Sequence, residues 1–397
     1  MKKLLFVVAV GFSGLAQAQN ITSVTNGNWA MPSTWDCTCI PGATANIIVA
    51  HNVTLNTSWQ HTAGSITINS GASLIQTVTP RDLWITGTAA LNINGALDVR
   101  YLWTEMGALS VSVNGDVTVR SFLNNISFTN AGVFHDIDSM YTTNNIINNG
   151  SIVGVDSVTL EAVITNNGTF TSNQCTNIGT LNNAGSFVAT DITNIGTITN
   201  SLGFWLQNSG WNLGNIINTS TGTFTVVNDF LNQDPVNNDA LLDNDGYMDF
   251  QDSWYNFNDV KGAGTYEVQD SSVNSGAMTE TFDFCDHSAP ANATTIVDYN
   301  TGSIAGTITF CTTMQVPEQA RDEMFAVTDS DGIHVFNSAG FEDTRIELFD
   351  LSGKAFAFEM YGNGNTLLLK PGCVEGIYLL KASHNHITRV FKLYINQ

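Results

Sequence analysis

The stretch DNDGYMD sets three carboxylates, Asp243, Asp245 and Asp249, around Gly246. Several hard oxygen ligands on a tight loop suit calcium. The stretch lacks the length and the closing Glu of a helix–loop–helix calcium site, and an acidic surface turn explains the same residues. Calcium is therefore the only metal expectation, and no cofactor is implied. His384 and His386 share one strand face without a third ligand, and Cys37 and Cys39 have no second close Cys or His pair to complete a zinc site. No Ser, His and acid cluster forms a readable nucleophile motif. A lyase for uronate chains needs cations, yet residues 121 to 320 hold 20 acidic side chains and the single cation Lys261. A glycosidase needs only two suitably separated carboxyls, and no pair stands out from the acidic background. The expectation is a protein that is not an enzyme. Trp84, Trp103, Trp205, Trp211 and Trp254 offer flat rings that stack on sugars where exposed and fill a core where buried.

The whole chain has 35 acidic and 13 basic residues, a net charge of −22. Nucleic acid is excluded as a partner, because phosphate binding needs clustered Lys and Arg. The first residues, MKKLLFVVAVGFSGLAQAQN, have the charge, apolar run and small-residue end of a secretory signal peptide, with cleavage between Ala18 and Gln19. No later run is long and apolar enough for a membrane-spanning helix. The expected destination is oxidising, so disulfides persist there. Of the six cysteines, at 37, 39, 175, 285, 311 and 373, the favoured bridge is Cys285 to Cys311, which flank one loop between the Phe-rich segments FDFC and ITFC. Cys37 and Cys39 either bridge locally or pair elsewhere.

The elements that position these residues are announced by repetition. ITNNGTF, CTNIGTL, LNNAGSF and ITNIGTI follow one another, and glycines at 71, 95, 115, 132, 150, 168, 185, 203, 222, 246 and 264 recur every 17 to 24 residues. Between them lie short alternating runs rich in Val, Ile, Thr and Phe, which read as strands with one buried face. A unit this short cannot close its own core, but it makes one coil of a stacked parallel β-solenoid, or β-helix. Apolar residues then point inward, Asn and Gly take left-handed turn geometry, and Asn side chains form hydrogen-bonded ladders along the stack. Residues 51–268 are the expected solenoid. Residues 19–50, with Trp29 and Trp35, and residues 269–326 are the expected caps at its two ends. A pair of β-sandwich domains is the rival all-β reading.

From residue 327 the repeat gives way to alternating strands broken by Ser352-Gly353, Gly362-Asn363-Gly364 and Pro371-Gly372, the pattern of a small antiparallel sandwich. The motifs FDLSGK (349–354), GIYLLK (376–381) and KLYI (392–395) occur in order at the end of the chain. Over residues 327–397 the sequence resembles the type A C-terminal sorting domain of Bacteroidetes type IX secretion cargo. Its motif positions here are Asp350, Gly353, Lys354, Gly376, Tyr378 and Lys392. The resemblance implies export through the periplasm and outer membrane, handling by the type IX machinery, removal of the tail, and release or attachment to surface lipopolysaccharide.

Together these readings give an all-β, secreted or surface-located solenoid followed by a sorting sandwich. The expected role is a structural or adhesin-like module for extracellular glycans or proteins. The alternative is a neutral-glycan-binding protein or glycoside hydrolase. Exposed aromatic rows beside paired carboxylates favour the alternative, and a uniformly Asn, Thr and Asp surface favours the first.

Overall fold

A computed structural model describes residues 20–288, 297–311, 324–329, 332–337, 341, 344–350, 353–363, 366–372, 376–384 and 387–395. The signal segment, Cys373 and His386 lie outside these residues, as does the side chain of His384. The chain divides into two compact units, Met1–Thr312 and Thr313–Gln397.

The first unit is a parallel β-solenoid of about 13 turns. Each coil gives one short strand to a 15-stranded parallel sheet and two further segments to a second parallel array. In some coils those two segments merge, as in Thr169–Asn177 and Ser186–Asn194. Strict alternation puts every second side chain inside, so Ile146, Ile164, Leu181, Ile198 and Ile216 follow one another in register on one inner face. On another, the rings of Phe170, Phe187, Phe204 and Phe224 stack with centroids 5.2, 4.5 and 4.8 Å apart and planes within 16° of parallel. A stacked ring file of this kind is among the favourable aromatic arrangements.

The repeated Asn-x-Gly triplets mark two corners of the coil, not one. Asn130, Asn148, Asn166, Asn183, Asn200, Asn218 and Asn244 form a buried ladder at the first. Asn177, Asn194, Asn212, Asn232, Asn256, Asn274 and Asn300 form a second ladder. In both, each Nδ2 donates to the Oδ1 of the next coil at 2.7–2.9 Å. The other Nδ2 hydrogen reaches backbone oxygens, as from Asn166 to Ser186 O at 2.9 Å. Buried amides are thereby kept satisfied inside an otherwise apolar column.

The chemistry of the corners differs from the expectation. The repeat asparagines are not left-handed: among the described residues, the non-glycine ones with positive φ are Thr38, Asp136, Asn238 and Glu280. Nor are the central corner glycines chosen for positive φ. A Cβ on Gly132, Gly150, Gly168 or Gly185 would collide with the carbonyl oxygen of the glycine one coil earlier, so these positions are glycine for lack of space. Gly203, at the next step of the same count, has nothing within 4 Å of such a Cβ.

The stack also extends beyond residues 51–268. Asn20–Thr22 already pairs in parallel with Asn46–Val49. The segment between them makes a 3-10 turn at Pro32–Thr34 and buries Trp29 edge-on to Trp35, with ring centroids 5.2 Å apart. At the other end Val273 pairs with Tyr299, Ala277 with Ser303 and Phe284 with Phe310, so the stretch expected to be a non-repetitive cap contributes coils through Phe310. Here Asn274 and its partner Asn300 stand 26 residues apart, and the longer turns hide the period. Cys285 and Cys311 are joined as a pair on successive coils with Cα atoms 4.8 Å apart, within the usual disulfide range. Cys37 and Cys39 pair locally, Cα atoms 5.1 Å apart.

Among its described residues the second unit holds two four-stranded antiparallel sheets, of which Met324–Asp329 is the first strand in chain order. Its core is built from Ile333, Val335, Leu348, Leu369, Tyr378, Leu380, Ala382, Leu393 and Ile395.

Candidate functional site: an outward aromatic file

Residues directly before the second Asn ladder point outward, because side chains alternate along a strand. They stand in register from coil to coil. Gln60 meets Trp84, Trp84 meets Trp103, Trp103 meets Leu123 and Leu123 meets Tyr141. The file continues through Thr159, Thr176 and Thr193 to Trp211. It then runs through Leu231, Tyr255 and Val273 to Tyr299. Tyr141, Trp211 and Tyr299 are 38, 40 and 60 % exposed, and Trp84, Trp103 and Tyr255 are half-buried. Trp211 is held by its indole N–H, which donates to Gln233 O at 3.1 Å.

Two residues earlier on the same strands, a polar file shares this face. Tyr101, Ser121, Ser139, Ser157, Gln174 and Asp191 are in register, and Ser139 Oγ donates to Ser121 Oγ at 3.1 Å. From Trp103 to Thr193 the file of rings, Leu123 and threonines therefore runs beside a strip of hydroxyls, one amide and the Asp191 carboxylate. Apolar lining with a few polar groups for orientation is the composition of small-ligand sites.

The tryptophans separate by strand parity. Trp84, Trp103 and Trp211 belong to the outward file. Trp254 pairs with Phe230 on an inner face and is wholly buried, and Trp205 lies on another outward row, between Val188 and Thr225. Tyr141, Tyr255 and Tyr299 complete the file, and the sequence alone does not single them out. Their spacing from the tryptophans is uneven along the chain, and only the coil register aligns them.

The row holding Trp205 continues through Thr225, Asp249 and Glu267 to Cys285. Burial pushes the Asp249 carboxyl above the usual carboxylate range, against the opposing hydrogen bonds from Gln251 and Gln269, each at 3.3 Å. Glu267, on the next coil, accepts from Tyr247 Oη at 2.7 Å and lies 3.7 Å from His287 Nε2.

The three carboxylates of DNDGYMD do not converge. Asp243 is ion-paired with Lys261 at 3.1 Å, Asp245 accepts from the Ala263 N–H at 3.1 Å, and Asp249 lies on the following strand, Tyr247–Phe250. The intervening corner turns the chain from one sheet to the other, which separates the ligands that the spacing suggested. Among the described residues no group of three His, Cys, Asp or Glu side chains could hold a metal ion.

Another titratable group is His135, which lies 2.7 Å from Asp116 Oδ1 and 3.0 Å from Asp136 Oδ2. Burial draws its pKa down, but the hydrogen bonds and charges of Asp116 and then Asp136 outweigh that and hold it above the ordinary value. Cys175, wholly buried and unbridged, has its thiol pushed up to about 12 by desolvation, which makes it a packing residue.

In the second unit the expected motif residues have structural places. Asp350 closes a hairpin: its carboxylate accepts from the Lys354 N–H at 3.0 Å, its carbonyl accepts from the Gly353 N–H at 3.0 Å, and Gly353 has φ +86°. Tyr378 is buried edge-on to Phe356, centroids 5.4 Å apart, and Lys354 Nζ lies 5.1 Å from the centre of that same ring. Gly376 opens the strand Gly376–His384, and Lys392 is exposed opposite Leu379.

No family model matches the chain, and no curated protein or solved structure matches it either.

Proposed function

We propose that this protein is an extracellular binding solenoid that holds neutral glycans on its outward aromatic file. The single observation that carries the reading is the register of Trp103, Tyr141, Trp211, Tyr255 and Tyr299 along one face. Aromatic rings offer the C–H faces of sugars a large contact area at low conformational cost, and the adjoining serines offer partners for hydroxyls. The charge of −22 favours an uncharged ligand over an acidic one. No catalytic step is part of this proposal.

Export belongs to the same reading. It rests on the signal-like first residues and on the tail resemblance, whose Asp350–Lys354 hairpin and Tyr378 core give the motif a folded basis. The type IX machinery is the proposed partner in export, with surface lipopolysaccharide as an attachment point after tail removal. Deleting residues 327–397 is expected to abolish delivery to the cell surface or medium, and unchanged delivery would refute the sorting role.

Retention of the secreted chain on immobilised neutral polysaccharides tests the binding role. The expected result is retention on at least one such polysaccharide, lost in the double variant Trp211→Ala/Tyr299→Ala. Absence of retention on all of them would leave the second reading, a rigid display spacer, which the paired Asn ladders favour.

A further inference from the structure

The order of the rings along the file bears on the shape of the glycan, an inference that rests on the neutral-glycan role. Trp103 and Tyr141 are separated by one rung, that of Leu123. Trp211 and Tyr255 are again separated by one, that of Leu231, and Tyr255 and Tyr299 by that of Val273. Three threonine rungs lie between Tyr141 and Trp211, and the middle one, Thr176, falls where the alternation would put a ring. Trp84, next to Trp103, is the one ring out of step.

Neighbouring strands lie about 4.8 Å apart, so rings on alternate rungs recur at about 10 Å. An extended glycan joined through equatorial β-1,4 bonds flips each residue relative to the last, and every second residue presents the same face after a similar advance. Chains joined by α-1,4 or β-1,3 bonds coil and lose step with a straight row. Charge points the same way: 20 acidic residues against Lys261 alone in residues 121–320 disfavour uronate or sulfated chains. The row of Ser121, Ser139, Ser157 and Gln174 lies beside the rungs of Leu123, Tyr141, Thr159 and Thr176 and offers hydroxyl and amide groups along one edge of a chain crossing that part of the file.

We propose that the ligand is an extended, neutral, β-1,4-linked glycan lying along the solenoid axis, with every second sugar stacked on a ring of the alternate-rung series.

Calorimetric titration of the full secreted chain with hexaoses of β-1,4-glucose, β-1,4-mannose, β-1,4-xylose, β-1,3-glucose and α-1,4-glucose tests this. At least one β-1,4 hexaose is expected to bind about tenfold more tightly than the β-1,3 and α-1,4 hexaoses, roughly one good contact in free energy. Tyr299→Ala and Trp211→Ala are expected to weaken it about fivefold or more, and Leu231→Ala, between them, by less than about twofold, a difference set by one aromatic contact. Trp211→Leu serves in place of Trp211→Ala if the latter melts early. Equal or tighter binding of β-1,3 or α-1,4 chains would overturn the linkage inference while leaving the neutral-glycan reading standing. Equal losses at Leu231 and Trp211 would overturn the alternate-rung register. Absence of binding to all five would overturn both readings.

Discussion

Leu160 stands in register with Asn177, whose Oδ1 is buried without a hydrogen-bond partner among the described residues. The leucine occupies the ladder position of its own coil, between Thr142 and Asn177, and it has no amide to donate. Asn177 is thus the first rung of the second ladder: it donates to Asn194 at 2.7 Å and receives nothing in return.

This asymmetry makes the ladder testable. Asn177→Leu removes one orphaned amide oxygen and creates another at Asn194, so the number of unsatisfied ladder amides is unchanged and the further loss is the bond to the part-buried Thr197 carbonyl. Asn194→Leu strips the donor from Asn212 and the acceptor from Asn177 while Asn177 Oδ1 stays orphaned. Each buried polar group left unpaired costs about 1–3 kcal/mol. Asn194→Leu is therefore expected to destabilise by roughly 2–5 kcal/mol, and Asn177→Leu by clearly less. Urea melts of the two variants decide this, and equal losses would mean that ladder bonds do not add to stability.

The corner glycines give a second contrast. Gly168→Ala drives its Cβ into the Gly150 carbonyl, where backbone must move, whereas Gly203→Ala enters open space without positive φ. The first is expected to cost at least about 1–3 kcal/mol, the range for overpacking. Gly203→Ala is expected to be neutral or stabilising by about 0.4–1 kcal/mol, because it restricts the unfolded chain. Thermal melts of both variants are the check.

Acid sensitivity should centre on His61. It is fully buried, and desolvation draws its pKa from 6.5 to about 4, against a smaller upward pull from the Ala45 backbone. The unfolded chain therefore takes up this proton at higher pH than the folded one. Stability from keeping His61 neutral is complete above pH 6.5 and falls as pH drops toward 4, by on the order of 3 kcal/mol. His135 works oppositely: its raised pKa adds stability below about pH 6.5, lost as pH rises through the folded value. Urea midpoints at pH 7.5 and 4.5 are expected to differ less in His61→Leu than in the unmodified chain. An unchanged difference would place the acid response elsewhere.

Much of this architecture is legible in the sequence because stacking makes each coil rewrite the same inward pattern. The glycine spacing and the alternation in SFVATDITN suffice for coils and strands, and the Asn ladder follows from amides recurring at one position. The two corners are harder to separate, since Asn166-Asn167-Gly168 and Asn177-Ile178-Gly179 have nearly the same spelling yet lie in different files. Glycine's second virtue, absence of bulk, is also invisible until one coil's carbonyl is seen beneath the next. The aromatic file is hidden for a similar reason. Trp211, Leu231 and Tyr255 are 20 and 24 residues apart because turns of different length intervene, and only hydrogen-bond register lines them up. The carboxylates of DNDGYMD show the converse, since closeness in sequence spans a corner that holds them apart.

The most direct measurement of the central claim is hydroxyl-radical footprinting of the secreted chain with and without a saturating neutral polysaccharide. Protection is expected at Trp103, Tyr141, Trp211, Tyr255 and Tyr299, while exposed Met31 reacts as before. Protection confined to residues off this file, or unchanged reactivity along it while the chain is bound, would contradict the account.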